Sequence, residues 1–184
     1  IETDAAASRV LAVSLVACGR VAGAAVEEVH VVGQADPADP AQAQCHASER
    51  DLLVCMAQRV RALDPDVLTG WNVVDFDLPV LQRRFQAHGL PFNLGRSDDD
   101  SWYQEGKAWG GSRVVVYGRQ VLDAMHLTRA AGARFPDYRL DTVARALLGR
   151  GKTLAGSDDE HVELIQQAYA GDRPAFCQYC LEDA

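Results

Sequence analysis

Lysine is almost missing from this chain. Of its 18 basic residues 16 are arginine, and 26 acidic residues leave a net charge of −8. A uniformly basic coat is thereby excluded, so any polyanion must be met locally, by a few arginines or through cations held on carboxylates. Long apolar runs are lacking too. None approaches the roughly 20 residues of a membrane-crossing helix, and no basic N-terminal stretch leads into an apolar one. No membrane partner is expected. Cysteine is sparse and irregularly spaced: Cys18, Cys45, Cys55, Cys177 and Cys180 make an odd number, which fits reduced thiols in a cytoplasm better than a disulfide framework. Low-complexity segments, internal repeats and long linkers are also absent. What remains is 184 residues, 48% of them hydrophobic. That is enough to bury about 70% of the extended surface in one core without disulfides or a structural metal. A single domain over residues 1–184 is the expectation.

Patterning places the elements. Arg9 to Cys18 and Ala24 to Val32, rich in Val and Ala, read as a strand pair joined by a glycine-bearing turn, and Ile1 to Thr3 reads as the tail of an earlier strand. Asp36, Pro37, Asp39 and Pro40 mark a loop. Ser48 with Asp51 three residues on predicts a capped helix whose buried face is Leu52, Leu53, Met56, Val60 and Leu63. A short strand at Val67 to Trp71 precedes a helix opened by Asp77, Leu78 and Pro79 and closed by Gly89. Asn93 to Ser112 shows no period and is expected to be an exposed loop. Val114 to Asp123, with Gly118-Arg119 at its centre, resembles a hairpin. Helices are expected at Leu140 to Leu148, Asp159 to Ala170 and from Pro174 onward. Strands early and helices late predict an α/β fold, a mixed sheet flanked by helices.

Chemistry is concentrated in a few carboxylates. Glu2 ends the first strand, Asp75 and Asp77 stand where a strand runs into a helix, and Asp183 lies on the last helix. Singly, each has an ordinary reading: a terminal residue for Glu2, a turn or cap residue for Asp75, a cap or dipole partner for Asp77, a wet helix face for Asp183. Tyr179 and Asp183, four apart, share one helix face roughly 6 Å apart. Carboxylates gathered at one place repel unless cations neutralise them, and hard oxygen ligands favour Mg²⁺ or Mn²⁺. Arg83, Arg84, Arg113 and Arg119 are candidates for phosphate contact. Cys177 and Cys180 form a CxxC, which reads either as half of a zinc or redox site or as two small buried residues. His30, His88, His126 and His161 are dispersed and read as surface or core histidines.

Three runs carry a resemblance. Ile1-Glu2-Thr3, then Gly70-Trp71-Asn72-Val73-Val74-Asp75-Phe76-Asp77, then Tyr179-Cys180-Leu181-Glu182-Asp183 resemble, in order, the three exonuclease motifs of family B DNA polymerases. Similarity extends to Leu90-Pro91 with Leu94-Gly95-Arg96, to Arg119 through Asp123, and to Leu140 through Ala144 with Leu147-Leu148-Gly149 and Gly151-Lys152. The family's first motif opens with an Asp directly before the Ile, and this sequence starts at Ile1. The resemblance implies a ribonuclease H-like fold and a 3′-to-5′ proofreading exonuclease of the DEDDy type, one segment of a larger DNA polymerase. It implies that Glu2, Asp77 and Asp183 are ligands of two divalent cations, Mg²⁺ or Mn²⁺, and that Tyr179 orients the attacking water. It also implies that Asn72 and Phe76 shape the turn or the DNA-side surface. The implied partners are a single-stranded or mispaired DNA 3′ end and the remaining polymerase domains, in a bacterial cytoplasm beside the nucleoid. The rival reading is a non-catalytic domain that binds DNA or braces a polymerase.

Overall fold

The structure, a computed structural model, describes residues 9–19, 25–106, 111–149 and 158–184. In chain order the elements are β1 (Ala12–Ala17), β2 (Val26–Val32), β3 (Ala43–His46), α1 (Glu49–Leu63), β4 (Val67–Gly70), a π-helical turn (Val73–Asp77), α2 (Leu78–Ala87), β5 (Trp102–Gln104), β6 (Arg113–Val115), β7 (Gln120–Asp123), α3 (Ala124–Ala130), α4 (Leu140–Leu148), α5 (Asp158–Gly171) and α6 (Arg173–Glu182). The architecture is mixed α/β with small sheets. No helix among the described residues is long and apolar enough to cross a membrane. Two compact units emerge, one of the described residues up to Met56 with those from 158 onward, the other of those from Ala57 to 149.

In the first unit β1 and β2 are antiparallel, Ala12 opposite Val31 through Ala17 opposite Val26, and β3 lies parallel to β2 on its other side. The expected strand pair is therefore present. Its central strand is buried without alternation from Glu28 to Val32, as a strand covered on both faces requires. On one face Val29 and Val31 meet Phe176 and Cys177 of α6, with Tyr169 of α5 edge-on to Phe176 at 5.2 Å. The Tyr169 hydroxyl donates to the Val32 carbonyl at 2.9 Å. His30 and His46, neighbours across the β2–β3 pair, are buried with Nδ1 and Nε2 2.9 Å apart. Arg173, at the start of α6, donates to the Gln34 carbonyl, to Asp39 at 2.9 Å and to the Cys45 sulfur. Gly33 makes room for it: φ is +134°, and a Cβ there would stand 2.8 Å from the Arg173 guanidinium. Ahead of α1, the Ser48 hydroxyl accepts from the Asp51 amide at 3.2 Å and donates to the Asp51 carboxylate at 2.7 Å, so the expected cap forms. Leu52, Leu53, Met56 and Val60 make α1's buried face as their spacing predicts.

In the second unit β4 and β7 run parallel, so Gly70 and Asp123 end side by side. From that shared end the chain leaves β4 into the π-helical turn and leaves β7 directly into α3. The hairpin expected over Val114 to Asp123 is reduced to one bridge, Val116 with Arg119, around Gly118 at φ +79°. β6 pairs instead with β5, and β7 with β4. The cause is Arg119. Its side chain, 1% exposed, is drawn to Asp64 at 3.0 Å, to the Pro65 carbonyl and to the Leu94 carbonyl at 2.8 Å, while the Gln120 amide donates to the Asp66 carbonyl. These bonds carry β7 toward the β4 side and away from β6.

The segment from Asn93 to Ser112 also departs from expectation. Asn93, Leu94 and Ser101 are buried and β5 arises within it. Short polar side chains satisfy the backbone locally: Asn93 donates to the Ser97 carbonyl and accepts from the Gly95 amide, and Ser101 accepts from the Leu94 amide. Such bonding needs no periodic pattern. Just before it, Phe92 packs edge-on against Phe85 of α2 at 5.3 Å. Gly95 is required by space, since a Cβ there would lie 2.6 Å from the Tyr117 carbonyl oxygen.

Candidate functional site

The run Gly70 to Asp77 folds as an end-of-strand turn with an unusual winding. Trp71 anchors it by donating its indole N–H to the Tyr138 carbonyl at 3.1 Å. Asn72 takes the left-handed conformation, φ 63° and ψ 25°, which a short amide side chain tolerates better than most. Next comes the π-helical turn, closed by the Leu78 amide donating to the Val73 carbonyl. One residue more than an α-turn is wound into it, a deviation that recurs at functional sites. Asp77 stands at its end with helical backbone angles, and its side chain makes no capping hydrogen bond to α2. The cap reading of Asp77 is thereby overturned: once the residues before it are already helical, no orphan amides face its carboxylate. Asp77 is exposed and Phe76 half-buried.

Asp75, expected to be a turn or cap residue, lies within the turn and does not cap it. Its carboxylate meets Nε2 of His126 at 2.7 Å. A hydrogen bond from Ser112 above all, with smaller contributions from the His126 bond and the charges of His126 and Arg129, holds the Asp75 carboxyl below the usual carboxylate range although burial pushes it the other way. Beneath this pair lies Asp123, 4% exposed. One of its oxygens accepts from the Val74 amide at 3.0 Å; the other accepts from Met125 and His126 at 2.9 and 3.1 Å and caps α3. A recess of about 340 Å³ is bordered by Val74, Ser112, Val121, Asp123, His126 and Leu127.

On the other unit, Tyr179 is buried in α6 and Asp183 is exposed at that helix's C-terminal cap, its amide donating to the Tyr179 carbonyl at 3.1 Å. The shared helix expected of these two is present. Asn72, Phe76 and Asp77 are likewise together on one turn. Glu2 lies outside the described residues. Among the described residues no three His, Cys, Asp or Glu side chains converge as a metal-holding group.

A sequence model described as the DNA polymerase family B exonuclease domain matches residues 10–143. The chain belongs to this family. The family B exonuclease domain has relatives that include DNA polymerase II of Escherichia coli K12, 38% identical over 121 residues. That match covers 65% of this chain and 15% of the polymerase. The DNA polymerase delta catalytic subunit of Caenorhabditis elegans is 32% identical over 77% of this chain and 14% of its own length. A DNA polymerase of Thermococcus aggregans is 30% identical over 75% of this chain and 7% of its own. The chain thus spans a small part of each relative. The recognition drawn from the motifs holds, and the matched span contains Asn72, Phe76 and Asp77 but stops before Tyr179 and Asp183.

Within the exonuclease domain, one other candidate changes role. Arg119, a candidate phosphate contact, is enclosed and fully engaged with Asp64, Pro65 and Leu94, so it is a brace. Arg83 and Arg113 are exposed, and the Arg113 guanidinium stands 5.9 Å above the Trp102 ring. The CxxC packs as small core residues, Cys177 buried and Cys180 half-buried. Cys177 is fully buried, and burial, with the nearby Cys177 and Asp183 charges, pushes the Cys180 thiol up to about 12. A thiol that stays protonated is a poor ligand and a poor nucleophile. Sequence reasoning missed Asp123, His126 as a partner of Asp75, and α3 itself. The one available signal was an Asp followed by a short helix-prone stretch.

Proposed function

We propose that this chain is one 3′-to-5′ exonuclease domain, residues 1–184, of a larger family B DNA polymerase, and that its mixed sheet and helices form a ribonuclease H-like arrangement. It removes nucleoside monophosphates from single-stranded or mispaired DNA 3′ ends, in a bacterial cytoplasm close to the nucleoid. The observation that carries this reading is Asp77, an exposed carboxylate held on a π-helical turn inside the span matched by the exonuclease family and not spent as a helix cap. Free thiols at all five cysteines accord with a reducing compartment.

The donor set suits a hard divalent cation, because Asp77 and Asp183 are exposed carboxylates with oxygen as the only ligand atom. Glu2, Asp77 and Asp183 would hold two such ions, Mg²⁺ or Mn²⁺. When bound, a pair of these ions stabilises both the entering and the departing oxygen of a phosphodiester displacement. The chain's own groups do the rest. Tyr179, its ring enclosed and therefore fixed, orients the attacking water from one turn before Asp183. Asn72 and Phe76 set the shape of the turn that presents Asp77. An unpaired 3′ end is preferred because it avoids an unpairing cost of a few kcal/mol.

In the natural full-length protein, Asp77→Ala or Asp183→Ala abolishes Mg²⁺-dependent release of monophosphates while leaving the melting temperature near that of the parent. Tyr179→Phe slows release less severely, since it removes an orienting hydroxyl and no carboxylate. Normal cleavage by both aspartate variants overturns the site assignment. An unaltered protein that binds DNA ends and releases nothing belongs to the non-catalytic reading.

A further inference from the structure

The π-helical turn is held from outside by bonds that the nuclease reading does not use. The Asp123 carboxylate grips it at the Val74 amide, and the same carboxylate grips α3 at the Met125 and His126 amides. His126 then returns across the gap to Asp75, one residue beyond Val74, at 2.7 Å. The two bonds to the turn close a ring: Asp123 to Val74, Val74 to Asp75 along the chain, Asp75 to the His126 side chain, and the His126 amide back to Asp123. Ser112, just before β6, adds a hydrogen bond to Asp75. A turn wound with an extra residue has an ordinary α-helical alternative close by, and two bonds to consecutive residues fix rotation about the chain where one would leave a pivot.

We propose that the Asp75–His126 bond is a positioning device which, together with the Asp123–Val74 bond, holds the turn in the winding that aims the Asp77 carboxylate. His126 is then a positioning residue for the cation site and touches neither cation nor DNA. The inference rests on the reading of Asp77 as a cation ligand. Both partners are about a third exposed, 36% for each side chain. A pair so placed contributes little to global stability, which separates its effect on geometry from an effect on folding. Outer partners that orient a ligand typically change metal affinity or activity ten- to a hundred-fold when removed.

The test uses the natural full-length protein with His126→Leu, His126→Gln and Asp77→Ala. The Gln amide still offers an N–H to Asp75, so it is the conservative rescue. Three readouts are taken: Mn²⁺ titration of the binding that Asp77→Ala removes, amide hydrogen exchange from Val73 to Leu78 in metal-free protein, and the split between kcat and KM for monophosphate release. For His126→Leu, Mn²⁺ binding weakens about tenfold, exchange at Phe76, Asp77 and Leu78 accelerates, and kcat falls with KM unchanged. His126→Gln restores most of each loss. The inference is overturned if His126→Leu leaves exchange in the turn and Mn²⁺ affinity as they were, or if exchange accelerates throughout the domain, as for a plain folding defect. If Asp77→Ala binds Mn²⁺ as tightly as the parent, the cation reading of Asp77 fails, and the exchange data alone then judge whether the bond holds the turn.

Discussion

Asp123→Ala removes a buried carboxylate that ties the turn to α3. Asp123 is 4% exposed and accepts three backbone hydrogen bonds, two from the first turn of α3 and one from Val74. Replacing an Asp N-cap with Ala costs about 0.5 to 2 kcal/mol. The Val74 amide, on a residue 7% exposed, is then left without its acceptor, and an orphaned buried donor costs about 1 to 3 kcal/mol. The sum is about 3 kcal/mol, equivalent to a fall in melting temperature of roughly 10 °C for a chain of this length. Asp123→Asn should cost about half as much. One amide oxygen can still cap α3, for which Asn and Asp are about equally suited, whereas the NH₂ faces the Val74 N–H and cannot accept from it. Urea unfolding followed by fluorescence of Trp71, itself tied to Tyr138 beside the turn, measures both. A loss below about 1 kcal/mol for the Ala variant would refute the accounting, and equal losses for Ala and Asn would refute the division between the two oxygens.

Arg119→Met removes bonds to two carbonyls and to Asp64 from a side chain that is 1% exposed. It should destabilise the domain by about 2 to 3 kcal/mol, as expected for lost charge-assisted bonds, and leave single-stranded DNA affinity unchanged in a filter-binding assay; weaker DNA binding at full stability would restore Arg119 to the phosphate-contacting set. Cys180 predicts an alkaline response. Burial pushes its thiol from the ordinary 9.0 up to about 12, so the native state keeps a proton that the unfolded chain gives up. Stability from this group is intact below pH 9 and declines as pH rises from 9 toward 12, by about 1.4 kcal/mol per pH unit. The difference in urea midpoint between parent and Cys180→Ser should therefore change from pH 8 to pH 10; a difference that stays constant would show that Cys180 is not held protonated.

Local signals in the sequence were legible where their cause is local. The Ser48–Asp51 cap, the α1 face from Leu52 to Val60 and the helix stop at Gly89, with φ +61°, each depend on residues within a turn or two. So does the strand pair, since the valines of β2 announce their burial themselves. The hairpin failed because the force that unmakes it comes from Asp64, Pro65 and Leu94, far from Arg119 in sequence. Asn93 to Ser112 was misread because side-chain bonds to nearby backbone leave no period to detect. The residue types from Gly70 to Asp77 identified the family, and the helix shared by Tyr179 and Asp183 followed from their spacing. The winding that carries Asp77 was invisible, as was the Asp75–His126 pair, whose members stand 51 residues apart. A dispersed histidine becomes informative only when a fold delivers its partner.

The turn from Val73 to Asp77 constrains chain length as well as residue type. Downstream, Leu78 and Phe85 point α2's apolar stripe into the core, while Asp77 must face outward. Deleting one residue from the turn would let it relax to an ordinary helix and would rotate everything after it against everything before. Either the carboxylate or the stripe could then keep its bearing, but not both. Variation among homologues should accordingly include substitutions within this stretch and exclude gaps, so that its residue count persists even where its lettering drifts.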